Sequence, residues 1–469
     1  MPSRQDQLHS YQFAVQRVVA ALVMRETDPA QSPFRRAAGA TMASVLVAVI
    51  ALGGVAVYGL IVGGGSTKWR DTSAVIVEKE SGARYVFRDD KLHPVLNYAS
   101  ALLVIGSATP KSVLVSAKSI EGVPRGAPLG IADAPDSLTP AKRLTGYPWT
   151  VCSGPVAGGT GSGTRSVLFV GAGPRGGRPL GEEAMILQHP DGGVHLLWHS
   201  RRYLIRDTQV VLSVLGATSR PKVAASLALL NSLPAGADLA PMTIPGRGEI
   251  FDPLPETKVG QVFVVKSQGG GEQYAVAMRN GLASISLLQA NLLLSDPETT
   301  AAVGQDSPTQ LGQATFARIT KLPDAVPAEV APPATSPKIV DAGGAVCAVV
   351  RTDAGASEVQ VGVPAPDVAD AVRTGSRTTG GTVLADYVVV EPGRGAVVED
   401  VGAPGSAGTL SIVTSLGRRY EVPSAEVLGI LGYAGVKPVR LPTSLVTLLP
   451  AGRALDPEAA RAPAVQADR

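Results

Sequence analysis

The chain has 469 residues, 45% of them hydrophobic, enough for two or three domains or a string of smaller modules. Gly 53 and Pro 37 make up about a fifth of it while aromatics reach only 4%, a composition suited to short strands and frequent turns. A net charge of +3 without any Lys/Arg block argues against a nucleic-acid partner, and two cysteines with no CxxC exclude a zinc knuckle or a thioredoxin-like site.

The first element is a tail, residues 1–36. Ser3 with Asp6 makes a capping-box pattern, and Leu8, Tyr11, Val15, Val18, Val19 and Leu22 recur at helical spacing before Asp28-Pro29 ends the element. A helix of this length cannot bury that stripe by itself. The inner membrane surface or a partner protein must cover it, and the lone Arg17 in its polar middle favours the partner.

The second element is an apolar run. From Ala37 to Thr67 there is no charged residue, while Arg35 and Arg36 close the run on one side and Lys68 and Arg70 on the other. About 20 helical residues cross a ~30 Å hydrocarbon core, so the stretch from Met42 to Val62 is long enough to span a bilayer. The 36 residues before it are too many for a cleaved signal peptide; a flexible linker competes as a reading because Gly53, Gly54, Gly59 and Gly63 to Gly65 dilute the run. Basic residues flank both ends, so charge alone gives little orientation. The cysteines, and the absence of a second span, place the tail inside and the large remainder outside.

Beyond the span a local form returns four times. Gly82-Ala83-Arg84-Tyr85, Ser200-Arg201-Arg202-Tyr203, Gly271-Glu272-Gln273-Tyr274 and Gly417-Arg418-Arg419-Tyr420 each put a small residue three before a Tyr that opens a strand. Strand-like runs precede them and helix-like runs follow, which reads as a degenerate internal repeat. The second and fourth copies align furthest. From Tyr203 to Gly236 and from Tyr420 to Gly452 the spans are 33 and 32 positions, each ending in Leu-Pro-Ala-Gly.

The four Tyr residues lie 118, 71 and 146 positions apart, leaving two non-repeat stretches, 146–187 and 338–401. Each contains one cysteine, Cys152 or Cys347. The simplest topology pairs the two stretches into a central domain stapled by these cysteines; two inert buried thiols are the alternative, and an oxidising compartment favours the bridge. Pro323, Pro327, Pro332, Pro333 and Pro337 mark a stiff linker into the second stretch, and the Ala/Pro/charged end after Leu455 reads as disordered.

Catalytic signals are weak. The strand-like Val167 to Val170 runs into a GxGxxG, Gly171 to Gly176, but Pro174, Gly177 and Pro179 break the helix a dinucleotide site needs. No Gly-Lys pair exists to build a P-loop. His195 and His199 are four apart in a strand-like run without a HExxH glutamate, His189 adjoins a proline, and Glu391 to Gly395 reads as an ordinary turn. No catalytic residue, cofactor or metal is assigned.

The blocks Leu92 to Ala101, Gly122 to Pro135 and Trp149 to Cys152 resemble the EccB family, the single-span membrane component of the ESX (type VII) secretion system of actinobacteria. The N-terminal helix, with Tyr11, Phe13, Arg17, Ala21 and Leu22, the span, the repeats and the cysteine pair also match that layout; Ser10 and Gln16-Arg17 depart from the usual Gly and Arg pair. The resemblance implies a cytoplasmic helix docking through Leu8, Tyr11, Phe13, Val15, Arg17, Val18 and Leu22. It also implies an extracytoplasmic, periplasmic part that self-associates, and assembly with the EccC ATPase, EccD and EccE in the inner membrane. The family is sometimes labelled ATPase, a label no motif here supports.

The expected fold is α+β: an amphipathic helix, one transmembrane helix, then an elongated part of four small αβ units around a β-rich central domain. In residue terms it runs as a tail (1–36), a span (37–67), repeat 1 (68–110) and a first central segment (111–190). Repeats 2 (191–250) and 3 (251–322), a linker with the second central segment (323–407), repeat 4 (408–455) and a disordered tail (456–469) complete it.

Overall fold

Ser3 caps the first helix, α1 (Arg4–Met24), through a complete capping box with Asp6, as the sequence pattern requires. The computed structural model describes residues 3–25, 33–63, 67–157, 163–323, 327–341 and 343–464, so the expected stop at Asp28-Pro29 lies outside the described residues. The second helix, α2 (Pro33–Gly63), contains the apolar segment Ala37–Tyr58, 22 residues and about 33 Å at the helical rise. Among the described residues it is the one helix long and apolar enough to cross a membrane.

The chain divides into two compact units, one of residues 1–92 and 111–125, the other of 93–110 and 126–469. In the first unit β1 (Ala74–Glu78) pairs antiparallel with β2 (Arg84–Arg88), which leads into β3 (Lys91–Pro94); β4 (Lys111–Val115) returns parallel to β1, giving the order β3-β2-β1-β4. Trp69, Ile76, Leu92, Val115 and Ile120 form its core, with Trp69 edge-on to Phe87 at 5.5 Å.

The second unit begins with α3 (Tyr98–Ile105), whose N-cap Asn97 accepts from the Ser100 amide and whose residues 99–104 are buried. Next come β5 (Trp149–Gly154), β6 (Arg165–Val170) and the short β7 (Arg178–Pro179). The strands β8 (Met185–Gln188), β9 (Val194–Trp198), β10 (Arg201–Ile205) and β11 (Val223–Ala224) form a second small sheet, β10-β9-β8-β11, with α4 (Thr208–Val214) and α5 (Leu227–Ser232). A third sheet, β15-β12-β13-β14-β16, is built from β12 (Val262–Lys266), β13 (Glu272–Met278), β14 (Gly281–Ile285), β15 (Thr309–Gln310) and β16 (Lys321–Leu322). The helices α6 (Leu287–Ser295), α7 (Pro297–Val303) and α8 (Gln313–Arg318) belong to it.

The chain then returns to the first strands of the unit. The strands β17 (Ala345–Thr352), β18 (Gly355–Val363), β19 (Val372–Arg373) and β20 (Tyr387–Val390) join β5, β6 and β7 in a seven-stranded sheet, β19-β20-β6-β5-β17-β18-β7. The fourth small sheet, β23-β22-β21-β24, consists of β21 (Ala396–Val401), β22 (Thr409–Val413), β23 (Arg419–Val422) and β24 (Val439–Pro442). The helices α9 (Ala425–Leu428), α10 (Thr443–Val446) and α11 (Pro457–Arg461) complete the chain. The fold is thus mixed α+β with a β-rich body.

Strand alternation divides the seven-stranded sheet into two faces. Trp149, Val151, Leu168, Val346, Ala348 and Val388 point into the main core, which the residues Leu229, Leu230 and Leu233 around α5 and Leu445, Val446 and Leu449 around α10 cover. Cys152, Phe169, Cys347 and Val363 lie on the other face.

Several expectations need correction. Tyr85 and Tyr274 lie in the second strand of their sheets, Tyr203 and Tyr420 in the third, so a register anchored on the four tyrosines is one strand out. What recurs instead is a return segment running parallel to the third strand: Leu92 pairs with Arg125, Arg202 with Ala235, Leu282 with Lys321 and Arg419 with Ala451. The expected boundaries also shift, because β4, β8 and β21 pair with the small sheets rather than with the seven-stranded one. Their apolar runs sit far from the Tyr motif, and only pairing assigns them.

The end after Leu455 is ordered through Ala464. Asp456 caps α11, Ala460 is buried, α11 packs on α3, and the Ala464 amide donates to Pro128 O at 2.8 Å. Its small apolar residues fit against a helix, which composition alone reads as disorder. The proline-rich segment is held in place: the Ala237 amide donates to Val330 O, the Leu288 amide to Ala334 O, and Tyr203 Oη to Ala331 O.

Candidate docking surface and disulfide core

Leu8, Tyr11, Val15, Val18 and Leu22 follow one side of α1, as their spacing at 3.6 residues per turn dictates. All are exposed, Tyr11 at 69% and Leu22 at 78%. Phe13 and Arg17 do not share that side. Four residues apart on the opposite side, they stack, with the guanidinium carbon 5.8 Å from the ring centroid. The seven residues expected to dock as one set therefore form an apolar stripe and a separate cation–aromatic pair.

Every side chain of α2 from Ala37 to Tyr58 is exposed. Its aliphatic hydroxyls are satisfied within the helix: Thr41 Oγ1 donates to Ala37 O at 3.0 Å and Ser44 Oγ to Ala40 O at 2.9 Å. That is the arrangement hydrocarbon demands, because no water is available there to pair a hydroxyl.

Cys152 in β5 and Cys347 in β17 stand directly opposite each other in antiparallel strands and are joined by a disulfide. Beside it lies a cavity of about 560 Å³, floored by Phe169, Val363 and Val389 and walled by the turn 171–175. That turn is the GxGxxG run. Gly171 has φ +69°, and a Cβ there would fall 1.7 Å from Thr145 Oγ1. The run leads into β7 and not into a helix, so it presents no ring of helical amides to a pyrophosphate.

The histidines occupy separate environments. His195 is buried in β9, where desolvation and then the nearby Arg202 hold its pKa below the usual value. His189 pairs with Asp191 in a turn; His199 stacks on Trp198 with centroids 3.7 Å apart and lies 2.8 Å from Glu182. Among the described residues no group of three His, Cys, Asp or Glu could hold a metal. In the turn at Glu391, the Arg394 amide donates to Glu391 O and its guanidinium lies 3.5 Å from the Glu391 carboxylate.

Sequence reasoning missed the long-range ties. Arg418 donates two hydrogen bonds, at 2.7 and 2.9 Å, to the two oxygens of Asp133, 285 positions away, and Tyr433 Oη donates to Thr139 O at 2.9 Å. Neither has a local signal, because each partner is an unremarkable loop residue.

The family described as "Type VII secretion system ESX-1, transport TM domain B", EccB, matches residues 1–466. The chain is 29% identical to "ESX-3 secretion system ATPase EccB3" of Mycolicibacterium smegmatis, over 96% of this chain and 88% of that protein. It is 32% identical to "ESX-2 secretion system ATPase EccB2" of Mycobacterium tuberculosis, over 62% of this chain and 59% of that one. Among solved structures, a chain of an intact ESX-5 inner membrane complex matches with a TM-score of 0.65 and 26% identity, covering 100% of this chain and 97% of that one. The EccB3 dimer from the ESX-3 core complex matches with a TM-score of 0.63 and 28% identity, covering 83% and 100%. A match that runs from the N-terminal helix through the apolar helix and the disulfide-bridged sheet to α11 makes this chain a member of the EccB family of type VII secretion proteins.

Proposed function

We propose that the chain is a membrane-anchored structural component of an ESX secretion complex, with α1 cytoplasmic, α2 spanning the inner membrane and the β-rich body on the periplasmic side. The observation that carries this reading is the whole-chain likeness to a component of an ESX-5 inner membrane complex. The partners that fit are the other core components, EccC, EccD and EccE, reached through the apolar stripe of α1; a second copy of the chain, in keeping with the EccB3 dimer; and membrane lipid around α2. The bridged cysteines support the orientation, since a disulfide persists in an oxidising compartment.

The body reads as four copies of one unit together with the seven-stranded sheet. Each copy has a three-stranded meander, a strand parallel to the first, and a return segment parallel to the third. The third copy extends the return segment into a full strand, β16. A second reading, ATP hydrolysis, rests on the names of the relatives.

Replacing Leu8, Tyr11, Val15 and Leu22 together by Ser and purifying the membrane complex tests the docking claim. Loss of the other components is expected, and their unaltered co-purification overturns it. Modification of a cysteine introduced at exposed Leu416 by a membrane-impermeant maleimide in intact inner-membrane spheroplasts tests the orientation; labelling only after lysis reverses it.

A further inference from the structure

Arg202 is the one charged side chain lining a cavity of about 300 Å³ whose polar walls are Asn231, Thr382, Ser444 and Thr447. These residues come from four places in the second unit: β10, α5, the loop between β19 and β20, and α10 with the residue after it. The guanidinium is half-buried, and its Nε donates to Leu233 O at 3.3 Å. Among the described residues no carboxylate pairs with it.

Several other part-buried arginines of the chain do meet one. Arg247 meets Asp296 at 2.9 Å, Arg440 meets Glu399 at 2.9 Å and Arg418 meets Asp133 at 2.7 Å. Burial lowers the Arg202 pKa with no acidic group to oppose it, as befits a cation that lacks a counter-charge.

We propose that this cavity binds a tetrahedral oxyanion of the phosphate class. The sign follows from the walls, which offer one guanidinium, hydroxyls and an amide but no carboxylate. Among the described residues no hydrogen bond within the chain engages the side chains of Asn231, Thr382 or Ser444, so all three can donate. Thr447 Oγ1 already donates to Thr443 O at 2.8 Å and serves as wall rather than donor. The shape follows from the directions of approach. A flat carboxylate is satisfied by the fork of one guanidinium, whereas donors from four elements suit oxygens pointing to the corners of a tetrahedron. Val383 and Leu448 add apolar surface to the lining.

The test is equilibrium dialysis of the purified full-length protein, in phosphate-free detergent, against radiolabelled inorganic phosphate. Saturable binding of one phosphate per chain is expected. Arg202→Met should weaken it by about 10-fold or more, the usual scale for a lost charge-assisted hydrogen bond, while Arg419→Met, at the same strand position in the fourth sheet, should leave it unchanged. Asn231 and Ser444 are exposed, so the double variant Asn231→Leu/Ser444→Ala keeps the fold and should weaken binding several-fold. Absence of saturable binding at millimolar phosphate, binding by Arg202→Met and by the double variant equal to that of the unaltered protein, or displacement by acetate as effective as by unlabelled phosphate overturns the proposal.

Discussion

Gly236 lies against the ring of Tyr203 so closely that a Cβ on the glycine would fall 2.1 Å from Cε1. Gly452 meets Tyr420 in the same way at 2.2 Å, and Gly126 meets the His93 ring at 2.1 Å. None of the three glycines adopts the left-handed backbone that demands glycine, so space and not conformation selects them. In the third sheet the bulk is exchanged, since Ala283 on the third strand stands opposite Leu322 on the return strand. A large residue on one partner with a small one on the other fills the same gap in either sense.

Gly236→Ala should therefore destabilise the protein by about 1–3 kcal/mol through overpacking, and Gly452→Ala likewise. Tyr203→Leu removes the ring and the hydrogen bond to Ala331, so it is destabilising alone. The double variant Gly236→Ala/Tyr203→Leu should be more stable than the sum of the two single changes predicts, because the added methyl then has room. Urea unfolding of the four proteins measures the coupling. Strict additivity would mean that the ring is not what excludes a side chain at position 236.

The same pairs show what was legible in the sequence and what was not. The shared Leu-Pro-Ala-Gly endings beside the second and fourth small sheets are readable because both partners, Tyr203 with Gly236 and Tyr420 with Gly452, keep the same residue types. The first and third small sheets satisfy the same packing with His93 and Gly126 or with Ala283 and Leu322, so identity vanishes although the geometry stays. A tyrosine one strand earlier then attracts the alignment. The apolar helix and the N-terminal cap were legible because each rests on residues close in sequence. Arg202 was not, since its cavity also takes in a loop and α10, 180 and 242 positions further on.

The disulfide closes a loop of 195 residues within the second unit. On the chain-entropy account that restricts the unfolded state by about 5 kcal/mol, an upper figure because residual structure already restricts it. Cys152→Ala/Cys347→Ala, or full reduction, should lower the urea midpoint of the β-rich body while leaving the helical signal of α1 and α2 in place. The reagent-accessible thiol count of unfolded, unreduced protein checks the premise: two free thiols per chain would remove it.

Tyr433 offers a stability test with a defined pH window. Its hydroxyl donates to Thr139 O, and burial pushes its pKa up to about 12 from the ordinary 10. The sign is fixed by proton counting. Between pH 10 and 12 the unfolded chain has released this proton and the native protein has not, so stability present below pH 10 falls as pH rises toward the folded value. Two pH units correspond to about 2–3 kcal/mol, all of it gone above pH 12. Tyr433→Phe should be less stable than wild type near neutral pH by about 1 kcal/mol, the net worth of the lost hydrogen bond to a carbonyl that stays buried. Phe has no proton to lose, so the two unfolding curves should converge and then cross as pH is raised through this window. Urea midpoints at pH 8, 10 and 11 measure it, and a parallel decline in both proteins would assign alkaline unfolding to other tyrosines, with Tyr203 and Tyr420, whose pKa values burial also raises, next in line.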